Sequence, residues 1–229
     1  MISWKDPRRF TRFSRRICDE YLTLQAAGTV GGVRFLYGPA SSLNDPNGVV
    51  LLGINPGGEV NLCDRLCTAR TGYYSEVWTS SDYRTRVCDF MESAFTLAGA
   101  TDWRSAWDRC VTSNLIPFRS PSFARLANSR RSRVFSRELW RDIFVEIEPK
   151  TIIAFGKPPS AAIYAILKGT GANLKCVRTY KARGAATLLA FDGARGEGRA
   201  LLVPHYAYGY GVRLQSEVQA MAEDLAPYL

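Results

Sequence analysis

The sequence holds one histidine, His205, so any imidazole chemistry rests on that single side chain. Long hydrophobic runs are missing too. The longest, Val49–Leu52 and Ala161–Leu167, fall far short of the roughly 20 apolar residues that cross a bilayer. No membrane contact is expected. The basic first segment (Lys5, Arg8, Arg9, Arg12, Arg15, Arg16) has no apolar stretch after it, and Asp19 and Glu20 do not suit a transit peptide. The expectation is a soluble cytoplasmic protein. Of six cysteines only Cys63 and Cys67 are close, as C-x3-C, and no second pair completes a four-ligand zinc or iron–sulfur set. No metal and no cofactor are expected, and without a secretion signal no disulfide is expected either. Cys88, in a helical pattern, and Cys110, at the start of an apolar strand, read as small core hydrophobes.

Negative charge is the scarcer sign. Against 21 acidic residues stand 30 basic ones, giving a net charge of +9, and arginine supplies 24 of the 30. Arginine suits planar, two-point contacts to phosphate better than lysine does. A chain this basic favours polyanions, of which nucleic acid is the commonest. What remains is ordinary globular composition, 46% hydrophobic and 22% charged, and 229 residues suit one domain spanning 1–229. A monomer is expected.

Phe10, Phe13, Ile17, Tyr21 and Leu24 recur at three- and four-residue steps and predict a first helix. Val49–Ile54 reads as a buried strand that runs into the sharp turn Asn55-Pro56-Gly57-Gly58. Asp82–Leu97 is helical by pattern; Cys110–Ile116 is strand-like and stops at Pro117. Arg119–Arg133 reads as an arginine-rich loop, followed by a helix that places Phe135, Leu139, Ile143 and Ile147 inward. Thr151–Phe155 is a strand and Pro159–Leu167 a helix. Two further strands are expected at Thr187–Phe191 and Ala200–Val203 across a glycine-rich turn, and a last helix carries Leu214, Val218, Met221 and Leu225. Short apolar strands alternating with amphipathic helices predict an α/β fold in three layers, α/β/α, around a mostly parallel sheet of about four strands. Ligands of such folds sit beyond the carboxyl ends of the strands. Asn55, Asn114 and His205 each fall at or just past such an end.

These residues carry a resemblance. Gly53-Ile54-Asn55-Pro56-Gly57 resembles the first motif of the uracil-DNA glycosylase superfamily, in the form found in its mismatch-specific and single-strand-selective branches. Thr71-Gly72-Tyr73-Tyr74-Ser75-Glu76 resembles the segment that carries the base-stacking aromatic. Asn114-Leu115-Ile116-Pro117 resembles the N-x-x-P whose asparagine reads the uracil edge, and Leu202-Val203-Pro204-His205 sits where the final histidine motif belongs. In the family that histidine is followed by Pro-Ser-Pro; here Tyr206-Ala207-Tyr208-Gly209-Tyr210 follows, and Ala207 has no hydroxyl to offer a phosphate.

The resemblance implies a monofunctional glycosylase that hydrolyses the N-glycosidic bond of uracil in DNA and leaves an abasic site. Negative charge then develops on the departing base and positive charge on the sugar. His205 would donate to the uracil O2, and Asn55, an amide with no useful pKa, would orient a water by its carbonyl. The Asn114 amide, donor and acceptor side by side, matches O4 and N3–H of uracil and mismatches cytosine. Tyr74, or failing that Tyr73, would stack on the extruded ring. Gly53, Ile54, Pro56 and Gly57 would line the base pocket, with Gly57 and Gly58 leaving its floor open. Tyr206, Tyr208 and Tyr210 are candidates to touch DNA, the last two as a wedge in the vacated stack. Arg119, and Lys157 in the Gly156-Lys157-Pro158-Pro159 turn, are candidate DNA contacts. Two alternatives stay open: a binder of uracil-bearing or abasic DNA without turnover, and a glycosylase for another deaminated or oxidised base.

Overall fold

A short strand buried at every position has both of its sides covered. Val49–Gly53 (β1), Val111–Asn114 (β2) and Thr151–Phe155 (β3) are buried at every position. In a computed structural model that describes residues 8–27, 31–45, 48–56, 66–76, 82–120, 122–126, 128–180, 186–193, 196–203 and 215–229, they form the centre of one sheet. Leu174–Tyr180 (β4), Ala186–Gly193 (β5) and Gly196–Val203 (β6) complete it, in the order β2-β1-β3-β6-β5-β4. The first four are mutually parallel, and β5 and β4 add on antiparallel.

Seven helices are described: Arg8–Ala26 (α1), Gly72–Ser75 (α2), Asp82–Leu97 (α3), Trp103–Asp108 (α4), Ser129–Ile147 (α5), Lys157–Gly169 (α6) and Gln215–Leu225 (α7). Alternate strand residues select their layer. Val50, Leu52, Ile152 and Ala154 pack with Phe13 and Ile17 of α1, Trp140 and Ile143 of α5, and Ile163 of α6. Their neighbours Val49, Leu51, Ile153 and Phe155 pack with Phe90 and Met91 of α3, Trp107 of α4, and Met221 and Leu225 of α7. The α/β/α sandwich is therefore as the sequence pattern predicts. Among the described residues no helix is long and apolar enough to cross a membrane.

Two expectations are corrected. The sheet has six strands rather than about four, because β4 joins it and the parallel set is extended by a hairpin pair. Only Tyr180 of β4 is buried; Lys175, Val177 and Arg178 are all exposed, so the strand lacks the alternation that marks a half-buried one and is held by its ladder to β5. The stretch 119–133 is not one loop. A 3₁₀ turn covers Phe123–Arg125, and α5 begins at Ser129, so Arg130, Arg131 and Arg133 lie in a helix. Of the two cysteines expected in the core, Cys110 is buried and Cys88 half-buried.

Candidate active site

The register aligns the carboxyl ends of the parallel strands. Gly53 pairs with Asn114, and Phe155 with Val203. Beyond β1 the chain keeps bonding to the segment after β2. Leu115 N–H donates to the Gly53 carbonyl at 2.8 Å, Ile116 N–H to Ile54 at 3.0 Å and Ser120 N–H to Pro56 at 3.2 Å. The segments carrying Asn55 and Asn114 are thus stitched together along one edge. Trp140 Nε1 on α5 fixes the Leu115 carbonyl from behind at 3.0 Å.

Asn55 is half-buried, and its amide has a determined orientation. Nδ2 lies 3.1 Å from the Pro56 carbonyl, 3.4 Å from the Ser120 carbonyl and 3.0 Å from Ser120 Oγ. Two of these are obligate acceptors, so only the NH₂ end can face them. The Ser120 hydroxyl spends its own proton on the Ser122 carbonyl at 2.6 Å, leaving a lone pair for Asn55. Oδ1 is the end left over, with no hydrogen-bond partner among the described residues. An amide so held presents an acceptor and can orient a water.

Asn114 is 5% exposed. Its Oδ1 lies against Gly53 so closely that a Cβ on residue 53 would overlap it. The Asn114 amide also stands close enough to the Tyr37 hydroxyl to act on its ionisation. Burial raises the Tyr37 phenol above its usual range, with Arg34, Arg119 and the Asn114 amide opposing. The Arg34 guanidinium sits 3.8 Å above the Tyr37 ring and pairs two-fold with Glu76 at 2.6 and 2.9 Å. An amide has two N–H donors and a two-lone-pair carbonyl, a set that can read a base at two points.

Tyr73 is buried in an aromatic cluster with Tyr37, Tyr83 and Trp107, its hydroxyl 3.4 Å from that of Tyr83. Burial holds its phenol well above the usual range. The same hydroxyl stands near Gly53, 3.6 Å from where a Cβ would be. Tyr74 is half-buried, its ring against Trp103 and Trp107 of α4. Ile54 packs on Gly156, whose φ of +112° and contact to the Ile54 side chain both require glycine where β3 passes into α6. Lys157 is exposed at the first residue of α6. Arg119 is only 8% exposed, close enough to Tyr37 to influence its ionisation. Gly57, His205, Tyr206, Tyr208 and Tyr210 lie outside the described residues; β6, which leads to His205, ends at the same edge with Val203.

Sequence reasoning missed Ser120, Tyr37 and the Arg34–Glu76 pair. Ser120 follows the N-x-x-P segment by three residues and was open to a search for polar partners there. Tyr37 stands in an apolar stretch with no motif around it, and only the fold brings it to Asn114. Among the described residues no group of three or more His, Cys, Asp or Glu side chains stands together. No protein-family model matches the chain, and no curated protein is similar enough to count as a relative.

Proposed function

We propose that the protein is a monofunctional DNA glycosylase that removes uracil by hydrolysis and starts base excision repair. One observation carries the reading: at the edge where ligands of parallel α/β sheets bind, the Asn55 amide is locked with its carbonyl unengaged by any described residue, on a segment bonded directly to that of Asn114. In this reading Asn55 Oδ1 accepts a hydrogen bond from the water that attacks C1′. Asn114 selects uracil by its Watson–Crick edge. His205 donates to O2 as charge develops on the leaving base, a contribution of about 3–4 kcal/mol by comparison with other oxyanion donors. An asparagine, unlike a carboxylate, takes no proton, so the expected enzyme is slow.

The test is an assay on single- and double-stranded oligonucleotides bearing one uracil, with wild type and His205→Ala. The expected product is an abasic strand, and the variant is expected to be about 100- to 1,000-fold slower. A second reading, a protein that holds uracil-bearing or abasic DNA without turnover, is favoured by Ala207, which removes the hydroxyl expected after His205. Tight binding with no abasic product from wild type would establish it instead.

A further inference from the structure

A groove of about 660 Å³ runs between α5 and α6 beside the candidate site. Its rim carries Arg130, Arg133 and Arg137 from α5 and Lys157 from α6. Leu115, Phe123, Val134 and Pro158 form its apolar lining. Leu115 follows Asn114 directly and donates to the Gly53 carbonyl, so groove and site share a wall. Among the described residues no carboxylate lines it.

The rim cations differ from other arginines of the same face. Arg12 pairs with Glu146, Arg16 with Asp142 and Arg131 with Glu20. Among the described residues, none of the four rim cations has a carboxylate partner, and only Arg133 has a hydrogen bond, to the Ser129 carbonyl. Helix stability does not account for Arg130 and Lys157 either, since both occupy first turns, where a cation opposes the helix dipole. Val134 stays 40% exposed among them. Four positive charges uncompensated by any described carboxylate, around an apolar lining, call for an occupant that is anionic at its edge and flat and apolar at its centre. A duplex hides its base faces; a single strand offers them together with its phosphates.

We propose that the α5–α6 groove binds single-stranded DNA, taking one or two unstacked nucleotides that flank the base delivered to Asn114. Its volume lies within the roughly 300–1,000 Å³ of sites that hold one small organic molecule. The proposal rests on the glycosylase reading for its choice of a DNA strand, and its test needs no glycosylase chemistry.

A labelled, uracil-free 12-nucleotide thymidine strand is titrated by fluorescence anisotropy against wild type, Arg137→Glu, Lys157→Glu and Lys175→Glu. Lys175 is exposed on β4, the far edge of the sheet, and carries the same charge change. The groove variants, one on each helix, are expected to weaken binding about tenfold or more, and Lys175→Glu less than about twofold. Arg130→Ala/Arg137→Ala is expected to reduce the slope of log K against log salt by about 1.4, two phosphate contacts at about 0.7 each. Equal weakening by all three reversals, or by none, overturns the proposal. Tighter groove-dependent binding of the matching duplex overturns the single-strand assignment. Displacement by free thymidine monophosphate at equal nucleotide concentration overturns the strand in favour of a mononucleotide. Groove effects present without uracil release count against the glycosylase reading alone; uracil release without groove effects counts against the groove alone.

Discussion

The Asn114 carbonyl oxygen rests on Gly53, at a spot where any side chain larger than hydrogen would overlap it. The last residue of β2 is thereby held by the last residue of β1, its register partner. Gly53→Ala is expected to push the amide aside. Overpacking a buried site of this kind costs about 1–3 kcal/mol, read as a lower midpoint in urea denaturation. Uracil release is expected to fall by much more than Ser120→Ala causes, because the displaced group is the one that reads the base in the proposed function.

Ser120 holds the donor end of Asn55. Ser120→Ala removes the side-chain acceptor and leaves the Pro56 and Ser120 carbonyls in place. One neutral hydrogen bond is worth about 1 kcal/mol, so kcat is expected to drop about fivefold, with KM near the wild-type value. Single-turnover kinetics check the split. A change confined to KM would assign Ser120 to binding rather than to holding the water.

Tyr37→Phe deletes the hydroxyl that stands beside Asn114. Loss of one buried polar contact is expected to cost about 1 kcal/mol in stability. Discrimination between uracil and cytosine is expected to weaken as the amide gains freedom to rotate. Competition between the two bases in otherwise identical strands measures this.

The sandwich was legible because short apolar strands such as β1 and β3 alternate with helices such as α3, whose pattern marks Asp82–Leu97 at both ends. Strand β4 was not, since an exposed edge strand with Lys175 and Arg178 has no buried face to give it a period. Asn55 and Asn114 were legible because turn punctuation and a following proline mark strand ends. Tyr37 and the Arg34–Glu76 pair were not, because long-range contacts between single residues leave no local pattern.

Buried ionisable pairs give a further prediction. Arg34 is 5% exposed, stacked on Tyr37 and paired with Glu76. Glu76→Ala leaves that guanidinium buried without its carboxylate, and removing one partner of such a pair costs about 3–5 kcal/mol. Arg34→Met leaves instead a carboxylate with 26% of its side chain in reach of water. The expected order of urea midpoints is wild type, then Arg34→Met, then Glu76→Ala.

The buried phenols set an alkaline limit. Burial raises Tyr37 and Tyr73, and pushes Tyr83 up to about 12. A folded-state pKa above the unfolded value of about 10 means that folding favours the protonated phenol. This contribution is complete below about pH 10 and is lost as pH rises towards 12. Denaturation midpoints are expected to fall between pH 10 and 12, and Tyr83→Phe to reduce that fall.

The most direct measurement of the central claim is multiple-turnover release of free uracil from an oligonucleotide, comparing wild type with Asn55→Ala. The account predicts many equivalents of uracil per protein, a strand that breaks only on alkali or heat, and a rate about 100-fold lower for the variant with DNA binding retained. An intact strand after long incubation with excess wild-type protein, or equal rates for the two proteins, would contradict it.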